Sequence, residues 1–129
     1  MEKQKKTILI IDDDKSIQQI FARILKKQGY DTDNAETGQE ALEKLRARKY
    51  SLALIDIKLP DTNGTDLITR IHAIDPSMIK IAITGFPSIE DATRVIDRGA
   101  SAYLVKPVKA EELIKIISEK LNSQEEHHT

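Results

Sequence analysis

Short apolar runs alternate with amphipathic stretches along the 129-residue chain, and they do so at a regular interval. Runs suited to strands lie at Thr7–Ile11, Tyr30–Asn34, Leu52–Asp56, Ile79–Thr84 and Ala102–Val105. Their starts fall 22 to 27 residues apart, the length of a βα unit. Between them lie stretches with apolar residues at helical spacing. The first carries Ile17, Ile20, Phe21, Ile24 and Leu25, and the second Ala41, Leu42 and Leu45. The third has Leu67, Ile68, Ile71 and Ile74, the fourth Ile89, Ala92, Val95 and Ile96, and the fifth Leu113, Ile114, Ile117 and Leu121.

The punctuation agrees with this reading. Thr37-x-x-Glu40 and Ser88-x-x-Asp91 have the form of capping boxes opening the second and fourth helices. Gly29 and Gly99 stand where the first and fourth helices should stop. Four of the strand runs are nearly continuous in apolar residues, as parallel strands covered on both faces are. The second, Tyr30-Asp-Thr-Asp-Asn34, is polar and fits only at a sheet edge. Five βα units predict a doubly wound α/β fold, a five-stranded parallel sheet between helical layers.

Composition narrows the field. A chain of 129 residues fits one domain, expected over residues 1–122, with a disordered tail at 123–129 that includes His127 and His128. The absence of Cys excludes thiolate metal sites and cysteine nucleophiles. Apolar runs reach only four residues, so neither a membrane span nor a signal peptide is expected, and the location implied is cytoplasmic. A formal charge of −1 argues against direct nucleic-acid binding.

The chemistry collects at the strand ends, where open α/β sheets bind ligands. Asp12, Asp13 and Asp14 follow the first strand, Asp56 closes the third, Thr84 the fourth, and Lys106 follows the fifth. Each has an ordinary reading: Asp14 as a helix cap, Thr84 as a turn hydroxyl, Lys106 as a solvated strand end. Asp56 is harder to set aside, because an acid ending a buried run needs a partner. Clustered carboxylates repel unless a cation intervenes, and oxygen-only ligands select a hard divalent ion such as Mg²⁺. Such a site beside a hydroxyl and a lysine suits phosphoryl transfer to a carboxylate. Neither a Walker A sequence nor G-x-G-x-x-G is present among the dispersed glycines 29, 38, 64, 85 and 99.

At these residues the chain resembles the receiver domain of two-component response regulators, of the chemotaxis-regulator type. The resemblance runs from about Thr7 to Leu121. It rests on Ile8-Leu-Ile-Ile-Asp-Asp-Asp14 and on Asp56-Ile-Lys-Leu-Pro-Asp-Thr-Asn-Gly64. Ile81-Ala-Ile-Thr-Gly85 and Gly99-Ala-Ser-Ala-Tyr-Leu-Val-Lys-Pro107 complete it. It implies a flavodoxin-like three-layer sandwich with strand order 2-1-3-4-5 and five helices. Asp56 would accept a phosphoryl group from a sensor histidine kinase or histidine phosphotransfer protein. Asp12, Asp13, Asp56 and the carbonyl of Lys58 would hold Mg²⁺. Lys106 would pair with Asp56 and then with the phosphoryl group, Thr84 and Tyr103 would be the switch pair, and Pro107 would follow a cis bond.

The same resemblance implies a surface of fourth helix, fifth strand and fifth helix that changes for a downstream effector. A weak dimer through that face is allowed for, although no strong apolar patch marks it. The domain would be a signalling phospho-acceptor, not an enzyme acting on other substrates, assisting its own phosphorylation and autodephosphorylation. Lys15 and Gln18 on the first helix are expected as exposed kinase contacts. Phe86 and Lys58 occupy the pocket mouth, with Phe86 expected to shield an acyl phosphate. Two other readings stay open: a degenerate receiver serving only as a binding scaffold, and a phosphohydrolase with Asp56 as nucleophile.

Overall fold

A computed structural model describes residues 5–127, with the side chains of 125–127 left aside. The elements alternate strictly: β1 (Thr7–Ile11), α1 (Lys15–Lys27), β2 (Asp31–Ala35), α2 (Gly38–Ala47), β3 (Leu52–Asp56), α3 (Gly64–Ile74), β4 (Ile79–Thr84), α4 (Ile89–Asp97), β5 (Ala102–Val105) and α5 (Ala110–His127). All strands pair in parallel, in the order β2-β1-β3-β4-β5.

The alternation of strand side chains divides the core in two. Ile8, Ile10, Leu52, Leu54, Ile81 and Ile83 face α1 and α5, where Phe21, Leu25, Leu113, Ile117 and Leu121 meet them. Leu9, Ile11, Ala53, Ile55 and Ala82 face the opposite way, onto α2, α3 and Val95 of α4. Helices thus cover both faces, which is why β1, β3 and β4 tolerate apolar residues at successive positions.

Strand β2 sits at the edge, one residue later than its polar sequence indicates. Tyr30 is spent in closing α1, its N–H donating to the Leu25 carbonyl at 3.1 Å, and the pairing begins at Thr7↔Asp31. The inward-facing polar residue of β2 is satisfied within the fold: Asp33 accepts from the Tyr50 hydroxyl at 2.6 Å and from Lys44 Nζ at 2.9 Å. Gly29 and Gly99 both have positive φ, at 92° and 123°, and end α1 and α4 by the left-handed route that a side chain disfavours.

Two expectations about helix faces need correction. Of the α4 face only Val95 is buried, while Ile89 is 87% exposed and Ile96 is also exposed. The helix is short and rests on the sheet margin, so a single residue makes its core contact. Ile20 of α1 is likewise exposed. The expected boundary at residue 122 falls inside α5, which continues to His127, with Gln124 Nε2 donating to the Ser77 carbonyl at 2.5 Å. Residues 128–129 of the expected tail lie outside the described residues. Among the described residues no helix is long and apolar enough to cross a membrane.

Candidate functional site

The carboxyl rim of the sheet is built by strand register. Ile11 of β1 lies beside Ile55 of β3, so the next residues, Asp12 and Asp56, emerge next to each other. Both are buried, whereas Asp13, one residue on, is exposed. Asp12 Oδ1 accepts from the Asp14 N–H at 2.9 Å, and Asp56 Oδ1 accepts from the Lys58 N–H at 3.0 Å. These bonds aim the remaining oxygens toward a common centre. Carboxylate oxygens of Asp12, Asp13 and Asp56 all come within 4.8 Å of one another.

Lys106, one residue past β5, reaches into this group. Its Nζ lies 2.9 Å from Asp12 Oδ2 and 3.2 Å from Asp56 Oδ2. The backbone that carries it is anchored to the neighbouring strand, the Lys106 N–H donating to the Thr84 carbonyl at 2.7 Å. The Lys106–Pro107 bond is cis.

The charges do not balance: three carboxylates face one ammonium. Burial raises the pKa of Asp56, and the Asp12 charge adds to it. The Lys58 N–H and Lys106 only partly offset these effects. Burial also disfavours the charge on Lys106, but the Asp12 hydrogen bond and the two acidic charges outweigh it, so its pKa is raised. The proton therefore stays on the lysine, and the surplus is negative. Three carboxylates converging with no nitrogen or sulfur ligand among them fit a hard divalent cation, which would remove that surplus.

The other rim residues are placed around this centre. Thr84 ends β4 fully buried, its Oγ1 accepting from the Phe86 N–H at 3.0 Å. Tyr103 is half-buried on β5 beside the α2–α4 core, and its hydroxyl accepts from the Ser88 N–H at 3.4 Å. The 57–64 loop folds back on itself. Gly64 N–H donates to the Ile57 carbonyl at 2.9 Å, and a Cβ on Gly64 would stand 2.2 Å from the Ile57 Cβ. Only glycine permits that approach, which returns the chain into α3 behind Asp56. The Lys58 side chain projects to the mouth, with Nζ 4.3 Å from the centroid of the Phe86 ring.

Asp14 is the cap of α1, accepting from the Ser16 and Ile17 N–H groups at 2.8 and 3.3 Å. Gln18 is not an exposed contact residue. It is 7% exposed, and its Nε2 donates to the Asp12 carbonyl at 2.5 Å, one helical turn beyond the cap. It thereby fixes the backbone of an acid at the site. Asn63, passed over in the sequence, caps α3 by accepting from the Asp66 N–H at 2.9 Å. The Asn-x-x-Asp spacing could have revealed it.

A family model for the response regulator receiver domain matches residues 8–118. The chain belongs to the response regulator receiver domains. It is 32% identical over 121 residues to the transcriptional regulatory protein ZraR of Klebsiella oxytoca, covering 94% of this chain and 27% of that protein. It thus spans about a quarter of that relative's length. The structure of a CheY-like receiver domain protein from Methanospirillum hungatei JF-1 is 42% identical with a TM-score of 0.93, over 96% of this chain and 99% of that one. A response regulator from Burkholderia pseudomallei, solved with a phosphorylated aspartic acid, a calcium ion and citrate, is 27% identical with a TM-score of 0.84. The match covers 97% of this chain and 74% of that one. This receiver domain is a signalling module, and its acidic pocket is the place where such a domain binds a divalent metal.

Proposed function

We propose that this receiver domain accepts a phosphoryl group on Asp56, with Mg²⁺ held by Asp12, Asp13, Asp56 and the Lys58 carbonyl. The observation that carries the reading is the bridging of Asp12 and Asp56 by one lysine, with a third carboxylate within reach. A bound divalent ion would neutralise phosphoryl oxygens and the surplus acidic charge. An oxygen of Asp56 attacks phosphorus as the bond to the donor breaks, and the donor leaves with the electron pair. From a phosphohistidine, that leaving group is imidazole, which takes up a proton. Lys106 then shifts from the carboxylate, whose charge is lost on phosphorylation, to the more strongly charged phosphoryl oxygens. The buried Thr84 hydroxyl donates to one of them, and Tyr103 follows into the space that Thr84 leaves.

The donor is a sensor histidine kinase or histidine phosphotransfer protein, and the Burkholderia structure with phosphorylated aspartic acid and calcium supports the same chemistry here. The surface that changes is α4–β5–α5. Exposed Ile89, Ile96 and Val105 on that side offer apolar area to an effector domain or to a second copy. Lys15, exposed beside the rim, is a candidate kinase contact.

Incubation with Mg²⁺ and acetyl phosphate tests the reading by intact mass. The expected product carries one hydroxylamine-labile phosphoryl group, lost in Asp56→Asn and on chelation. No uptake by the parent protein overturns the proposal in favour of a phosphorylation-independent scaffold. Sustained turnover of phosphomonoesters would instead make the protein a hydrolase.

A further inference from the structure

Lys58 and Phe86 come from different loops and meet across the mouth of the pocket. Phe86 is 68% exposed, so burial does not hold its ring in place; the Lys58 ammonium, 4.3 Å from the ring centroid, does. Both residues are also tied to the reactive groups through their backbones. The Lys58 N–H donates to Asp56 Oδ1 at 3.0 Å, and the Phe86 N–H donates to Thr84 Oγ1 at 3.0 Å. Asp56, Lys58, Phe86 and Thr84 therefore form one continuous chain of contacts from the nucleophile to the hydroxyl. Between Thr84 and Phe86 stands Gly85, whose missing side chain leaves open space, so nothing at that position braces the loop.

We infer that the Lys58–Phe86 pair is a latch that holds the Thr84 hydroxyl toward its own loop and opposes its transfer to a phosphoryl group on Asp56. This rests on the phosphoacceptor reading above. Thr84 Oγ1 reaches toward Asp56 only by lengthening its bond from the Phe86 N–H or by carrying the loop with it. The cation–π contact resists the second movement, which would carry the Phe86 ring away from Lys58. Phosphorylation undoes the latch from the other end. A phosphoryl group two residues from Lys58 presents full negative charge to the ammonium, and an anion outcompetes the weaker quadrupole of an aromatic face. Lys58 and Phe86 are thus positioning residues that favour the unphosphorylated arrangement.

The test is calorimetric titration of the full chain with beryllofluoride in excess Mg²⁺. Phe86→Leu and Lys58→Met keep the backbone groups and remove the latch. Phe86→Leu should tighten beryllofluoride binding by about two- to fivefold, the span that an exposed cation–π contact supplies. Lys58→Met also gives up the attraction of its ammonium for the bound anion, so it should gain less than Phe86→Leu. The double variant should bind no more tightly than the better single one. Phe86→Tyr should bind as the parent does, which a general loosening of the loop would not produce. Unchanged or weaker binding in Phe86→Leu, or effects that add in the double, overturns the latch. Failure of the parent to bind, or equal binding by Asp56→Asn, overturns the phosphoacceptor reading and the latch with it. Normal parent binding beside an unaffected Phe86→Leu overturns the latch alone.

Discussion

Two lysines enter the sheet from its opposite rims, and different chemistry receives them. Lys106 at the carboxyl rim has a side chain 22% exposed and meets two carboxylates. Lys80, second residue of β4 near the other rim, is 1% exposed and donates to backbone carbonyls, those of Met78 at 2.6 Å and Pro76 at 3.5 Å. Burial lowers the pKa of Lys80 against a smaller opposing pull from Asp75. At Lys106 the opposing pull of Asp12 and Asp56 wins, and the pKa rises. One cation is matched by more negative charge than it carries, leaving a surplus available to a metal and a phosphoryl group. The other is matched mainly by carbonyl dipoles, with a smaller pull from Asp75, and secures the α3–β4 turn, where Gln124 also donates to the Ser77 carbonyl.

Removing each lysine should therefore break the molecule in different ways. Lys106→Met leaves two buried carboxylates facing each other, and should lower stability by roughly 2–4 kcal/mol in metal-free urea unfolding. Added Mg²⁺ should restore most of the loss. A metal-independent loss would show that Lys106 acts through packing and not through charge.

Lys80 should respond to shape more than to charge. Lys80→Ala leaves a cavity and two unpaired carbonyls, for an expected loss of about 2–3 kcal/mol. Lys80→Met fills the volume without burying a cation, and its stability should stay within about 1 kcal/mol of the parent. The pH dependence has a definite sign. The folded-state pKa of Lys80 is below the ordinary lysine value of 10.5, so the unfolded chain binds more protons in the window between them. Parent stability should rise relative to Lys80→Met as pH climbs through that window. Urea unfolding of both proteins at neutral pH and at increasing alkaline pH checks it, and a constant difference would refute it.

The smallest expected effect lies at the sheet edge. Tyr50→Phe removes the 2.6 Å bond to Asp33 and should cost about 1 kcal/mol. Burial and then Asp33 push the Tyr50 hydroxyl up to about 12. Spectrophotometric titration should find one of the three tyrosines ionising near that value, and the variant should lack it. Burial opposes ionisation of Asp33, but its bonds from Tyr50 and Lys44 outweigh that and lower its pKa. Its stabilisation is therefore present above 3.8 and lost as pH falls through the folded-state pKa. The variant should show a weaker acid dependence of stability.

The difference between the lysines also marks what could be read without a structure. Lys106 stands at the end of an apolar run beside proline, and strand ends are where α/β sheets bind ligands, so its position alone drew attention. Lys80 interrupts a run that otherwise reads as buried, and no local pattern says whether such a lysine turns outward or finds carbonyls. Gln18 misled for a related reason. Helical periodicity sets Gln18 beside Phe21 and Leu25 at the edge of the apolar stripe, but its polar side chain suggests exposure until the nearby Asp12 carbonyl is known to draw it inward. On α4 the spacing of Ile89, Ala92, Val95 and Ile96 is that of a core helix, yet periodicity does not say how much of a face a neighbour covers.

Element order, strand ends and the edge placement of β2 follow from the sequence, because periodicity, capping residues and polarity act within a few residues of where they stand. The meetings that make the site do not. Lys106 reaches Asp12 across 94 positions and Asp56 across 50, and Lys58 and Phe86 come from separate loops. Which side chains touch at such separations depends on strand order, register and the packing that holds them. Only the folded sheet, setting β1 beside β3 and β5 beside β4, brings these charges within hydrogen-bonding distance.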